Sequence, residues 1–141
     1  IAGATERGYT VTAADHGTKL RVQVTGSLDG YPNLSKKSAS SSKVANGQFK
    51  PGTVEVTGEP AVDSTLTADE GTWTSKNSAA LTLQPVFRYQ WYAAGKAVKG
   101  ATARTFTPAS THRGKKVHVV VTGTLPRYTK LAATSAAVTI G

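Results

Sequence analysis

The chain has 141 residues, which suits one ordinary domain or two small ones, and no apolar run approaches the roughly 18 residues of a membrane-spanning helix. It contains no cysteine, which excludes a disulfide framework and any thiolate metal site. Its net charge of +9 is spread: residues 1–46 hold six basic and three acidic side chains, residues 47–141 eleven and five, and no five like charges run together, so there is no basic tail.

In chain order, the sequence opens at Ile1 inside a pattern, with no charged-then-apolar leader and no methionine; a mature or trimmed fragment is expected. A single helical turn is expected at 12–15 or at 109–112. Residues 19–26 read KLRVQVTG, with Leu20, Val22 and Val24 pointing one way and Arg21 and Gln23 the other, the period-two alternation of a strand. SKKSASSSK (35–43) is a linker by composition. Strands are expected next at 53–57 (TVEVT) and 64–68 (STLTA, Leu66 inward). Residues 86–93 (VFRYQWYA) place Phe87, Tyr89 and Trp91 on one face and Arg88, Gln90 and Tyr92 on the other. Short strands follow at 96–98 and 104–107, a long one at 115–122 with Val117, Val119 and Val121 inward and His118 and Val120 outward, and a closing one at 134–140. Gly58, Asp69-Glu70-Gly71, Gly95, Gly114 and Pro126 mark the turns between them.

Residues 116–123 read KVHVVVTG, nearly the octapeptide of 19–26, 97 positions on. The same offset aligns Gly3-Ala4-Thr5 with Gly100-Ala101-Thr102, Arg7 with Arg104, Tyr9 with Phe106, Tyr31 with Tyr128, and Ser38-Ala39 with Ser135-Ala136. One constant offset over so many matches is internal repetition. Residues 47–141 are then a full repeat, preceded by the C-terminal half of another, 1–46. The alignment makes 35–43 the last strand of the first copy and places the junction at 45–52.

Seven or so short strands in one repeat indicate an all-β, two-sheet sandwich. The stretches STLTADEGTW, YQWYAAGKAVKGAT, GKKVHVVVTG and TAADHGTKLRVQVTG resemble the tandem immunoglobulin-like repeats of secreted and wall-associated Gram-positive, especially actinobacterial, proteins. The resemblance covers 47–141 and most of 1–46. It implies an immunoglobulin-like β-sandwich with Trp91 in the core, a secreted or cell-surface location, and service as a spacer or accessory module, for instance behind a secreted hydrolase. Antibody-type cysteines are absent, and Leu66 and Val119 take their places. The Asp of the turn before the long strand is present as Asp15 and replaced by His112 in the second copy.

The half-repeat lacks the strands that would cover Tyr9, Leu20, Val22 and Val24. Three completions are open: further strands N-terminal to residue 1, strand exchange in a homodimer, or a half that packs on the full repeat or stays partly disordered.

Nothing in the sequence points to catalysis or a cofactor. His16, His112 and His118 form no metal-ligand spacing, and there is no phosphate loop or nucleophile elbow. Asp69-Glu70 reads as a turn cap. Two features suit binding. One is the outward face Arg88, Gln90, Tyr92, His118 and Val120, where a tyrosine among polar groups can stack on a sugar or a partner protein. The other is Trp73, a sugar-stacking residue if exposed and an end seal of the sandwich if not. The alternative to a spacer is a module that binds a polysaccharide or an anionic wall polymer, drawn by the basic surface, or a protein-binding adhesin segment. Nucleic acid is not favoured, because the basic positions lack interleaved aromatics.

Overall fold

The computed structural model describes residues 1–76, 81 and 83–141. They are all-β, in several antiparallel sheets, and fall into two compact units, Ile1–Asn46 and Gly47–Gly141.

Unit 1 contains a 3-10 turn at Ala13–Asp15 and two strands, β1 (Gln23–Leu28) and β2 (Tyr31–Lys37). They pair antiparallel, with Gln23 opposite Lys37 and Gly26 opposite Leu34. The closing strand expected over 35–43 is a correction: β2 takes 35–37, and the serines beyond it replace ladder bonds. Ser38 Oγ accepts the Val22 N–H at 3.1 Å and Ser41 Oγ the Leu20 N–H at 3.0 Å. Hydroxyls competing for backbone donors in this way end regular pairing. Among the described residues of unit 1, none is buried; Val22 is 58% exposed and Val24 63%.

Unit 2 runs β3 (Phe49–Lys50), β4 (Glu55–Thr57), β5 (Leu66–Asp69), β6 (Thr74–Ser75), β7 (Val86–Ala93), β8 (Lys96–Ala97), β9 (Thr105–Phe106), a 3-10 turn at Ser110–His112, β10 (Lys116–Thr124), β11 (Leu131–Thr134) and β12 (Val138–Thr139). One sheet has the order β11-β10-β7-β8, with β12 also on β10; a second is β4-β5-β9; β3 pairs with β6. β7 and β10 form the longest ladder, from Val86 opposite Thr124 to Ala93 opposite Val117. The two larger sheets share one core. Leu66 and Ala68 of β5 meet Trp91, Val117, Val119 and Val121 of β7 and β10, with Val54 and Ile140 closing it. Trp91, Leu66 and the three valines are fully buried. Each such side chain stabilises the fold by roughly 1.5–3 kcal/mol. The Trp91 indole N–H donates to the Ala103 carbonyl at 3.0 Å, so its burial strands no donor.

Two strands were not expected, β3 and β6, and the single closing strand over 134–140 is two, β11 and β12. The break falls at buried Ser135, whose Oγ accepts the Val119 N–H at 3.1 Å and donates to the Ala136 carbonyl.

The two units repeat hydrogen bonds as well as letters. Ser38 and Ser135 play the same part, each also donating from its N–H to the Val22 or Val119 carbonyl. In the turns, Thr12 N–H donates to Asp15 Oδ2 at 2.8 Å and Ala109 N–H to His112 Nδ1 at 3.0 Å, so the histidine does the aspartate's capping. Gly3 and Gly100 both have left-handed φ, +73° and +77°, where glycine is tolerated without strain. The register slips once: Gly17 N–H donates to Val44, Gly114 N–H to Ile140, so unit 1 carries one extra residue in its last loop.

Candidate functional site

The outward face of the β7–β10 ladder collects five of the six residues singled out in the sequence. Period-two alternation puts Arg88, Gln90 and Tyr92 opposite Thr122, Val120 and His118. Tyr92 and His118 are directly paired, and their rings stack at 5.0 Å with only 5° between planes. Both are half-buried, so the pair is a small, flat, partly apolar platform. Gln90 is committed elsewhere: its Nε2 donates to the Trp91 and Val98 carbonyls, each at 2.9 Å. It fastens β7 to the chain beyond β8. Arg88 is exposed at the far end of the face.

Trp73 does not join them, and its reading as an exposed stacking residue is corrected. It is 5% exposed, wedged edge-on between Phe49 (5.5 Å) and Phe87 (5.3 Å), with its indole N–H donating to the Glu70 carbonyl at 2.9 Å. The physical reason is Gly123, on which the six-membered ring sits; a Cβ there would come within 2.7 Å of it. A cleft of about 330 Å³ borders the tryptophan together with Thr72, Gln84 and Phe87, but the ring offers it little surface.

The structure adds a cluster that sequence reasoning missed. Asp69 is the turn cap, its Oδ1 accepting the Gly71 N–H at 2.9 Å. Glu70 turns away from that turn. Its carboxylate, 14% exposed, accepts Arg104 Nε and Nη2, both at 3.0 Å, and the Tyr89 hydroxyl. A two-pronged guanidinium grip of this kind fixes geometry as well as charge. Burial drives the Glu70 carboxyl upward, but bonds from Tyr89, its own backbone N–H and Arg104 outweigh this and hold it below its ordinary 4.5. Burial and the same carboxylate push the Tyr89 phenol up to about 12. Tyr89 therefore donates to Glu70 as the neutral phenol. Beside this cluster lies an open cleft of about 480 Å³, lined by Phe87, Arg88, Tyr89, Thr102, Ala103 and Arg104. Two guanidiniums and two aromatic edges border it, a set able to hold an anionic or sugar-like group. The only sequence signal for Arg104 was its repetition as Arg7; its partners lie 34 and 15 positions upstream.

Among the described residues, no group of three His, Asp or Glu is placed to hold a metal ion. No family model, curated protein or solved structure matches the chain.

Proposed function

We propose that the chain is a segment of tandem immunoglobulin-like repeats serving as a non-catalytic spacer or accessory module of an exported bacterial protein. The observation that carries this reading is a hydrogen-bond pattern that recurs 97 positions on: Ser38 and Ser135 make matching bonds, as do the Thr12–Asp15 and Ala109–His112 turns. Repetition of a scaffold whose capping groups change while its geometry persists fits selection for a structural unit. The immunoglobulin-like assignment is supported by strand order. On this reading β11-β10-β7-β8 are strands G, F, C and C′, β4-β5-β9 are A, B and E, and Trp91 is the strand-C tryptophan.

A second reading is favoured by the Tyr92–His118 platform and by the cleft that Arg88 and Arg104 share: a module that binds a polysaccharide or an anionic wall polymer. One experiment separates them. Thermal melts are recorded with and without purified cell-wall polysaccharide and anionic wall polymer, at low and high salt. A spacer melts at the same temperature with and without polymer at each salt concentration. A rise that Tyr92→Ala abolishes would replace the spacer with a stacking binder. A rise that survives Tyr92→Ala but vanishes at high salt would replace it with an electrostatic one.

A further inference from the structure

Unit 1 carries, position for position, the docking edge by which residues 98–141 hold residues 47–97. In unit 2 that edge makes a defined set of contacts. Trp91 N–H donates to the Ala101 carbonyl and its indole N–H to Ala103. Ala68 N–H donates to the Arg104 carbonyl, and Glu70 grips the Arg104 guanidinium. Phe49 stacks on Tyr128 at 5.0 Å, and β7 lies along β10. Ninety-seven positions earlier stand Ala4, Glu6, Arg7, Tyr31 and the β1 approach, Lys19 to Gly26. The side chains that these contacts cover in unit 2 are bare in unit 1. Val119 and Val121 are 0% exposed against 58% and 63% for Val22 and Val24, and Tyr31 is 71% exposed. The backbone tells the same story. Val22 and Gly26 lie in register with Ser38 and Leu34, so ladder alternation leaves Arg21, Gln23 and Thr25 pointing their N–H and C=O groups to the opposite edge. Their counterparts His118, Val120 and Thr122 face β7.

We propose that unit 1 presents a receiving edge for a strand set of the 47–97 type. The occupant is defined by chemistry already visible in unit 2: a strand bearing a tryptophan to donate to the Ala4 and Glu6 carbonyls, and a carboxylate for Arg7. A second copy of this chain does not fit the part by exchange. Each copy carries two receiving halves, 1–46 and 98–141, and one donor, so every face it covered would bare another. The inference rests on the repeat and is independent of the spacer reading.

The test uses the unmodified chain, with the polypeptide of residues 47–97 added in trans, and follows amide hydrogen exchange at Arg21, Gln23 and Thr25. We expect slowing by ~100-fold or more on addition, lost when the added polypeptide carries Trp91→Ala. A fused form, with a copy of residues 47–97 placed before Ile1, repeats the measurement at high effective concentration. Unchanged rates at the three amides in both formats overturn the proposal. So does finding them already protected in the chain alone as a dimer by light scattering, since a second copy would then be the occupant.

Discussion

A methyl group added at Gly123 should destabilise unit 2, and the same change at Gly26, 97 positions earlier, should not. Gly123 lies on β10 beneath the Trp73 ring. A Cβ there would stand 2.7 Å, 3.0 Å and 3.2 Å from Cζ3, Cε3 and Cη2. The indole has little room to retreat, because Phe49 and Phe87 flank it and its N–H is tied to the Glu70 carbonyl. Overpacking of this kind costs about 1–3 kcal/mol. Replacing glycine by alanine within a strand returns about 0.5–1 kcal/mol through lost chain freedom. The clash wins, for a net loss of roughly 1–2 kcal/mol, or about 5–15 °C in the melting temperature of a domain this size. At Gly26 the nearest atom to an added Cβ is the Leu34 carbonyl oxygen at 4.0 Å, so Gly26→Ala should be neutral or slightly stabilising. Calorimetric melts of the two variants decide it. A Gly123→Ala protein melting at or above the parent would refute the packing argument. The cause can be isolated further: in a Trp73→Leu background the Gly123→Ala penalty should largely vanish, a coupling that a double-mutant cycle reads directly.

Stability should fall at both ends of the pH scale through one cluster. Glu70 is held below 4.5, so its contribution is complete above that pH and is lost as pH drops through the folded value; Glu70→Gln should flatten this acid limb in urea titrations. Tyr89 is raised from 10.0 to about 12, so its contribution is complete below pH 10 and disappears as pH climbs between the two; Tyr89→Phe should flatten the alkaline limb. Ser135→Ala removes the acceptor of a buried Val119 N–H and should cost about 1–3 kcal/mol in chemical denaturation, whereas Ser38→Ala, its exposed counterpart, should change stability little. Tyr92→Ala should leave the melting temperature within a few degrees of the parent, because the ring lies on the outer face and not in the core; a collapse of the fold would show that the stack with His118 is structural.

The long strands were legible because burial on one face writes its period into the letters: β7 spans 86–93 as read, and the inward valines of β10 are those alternation selects. A single helical turn was expected at 12–15 or at 109–112, and a 3-10 turn stands in each stretch. β3 and β6 were not legible. Each is two residues long, and they exist because Phe49 packs against Trp73 from a neighbouring segment, a tertiary fact with no local pattern. The tryptophan itself shows the limit. GTW is equally compatible with an exposed or a sealed ring, and what decides it is the missing side chain at Gly123, fifty positions away. The outward face was readable because strand alternation is local. The Glu70–Tyr89–Arg104 cluster was not, since three different stretches of chain supply it. The serines of 38–43 mislead for a different reason: their composition looks like a linker, while their hydroxyls stand in for strand partners.

Both tryptophans of the chain, Trp73 and Trp91, belong to unit 2, and the aromatic side chains of unit 1 are Tyr9 and Tyr31. Each indole is shut away from water and hydrogen-bonded to a carbonyl. Indole emission from this protein therefore reports on one unit alone, blue-shifted and shielded from dissolved quenchers while that unit stands. Residues 1–46 contribute no indole to that signal, and to the tyrosine signal they contribute Tyr9 and Tyr31 beside the Tyr89, Tyr92 and Tyr128 of unit 2, so only the indole channel belongs to a single unit.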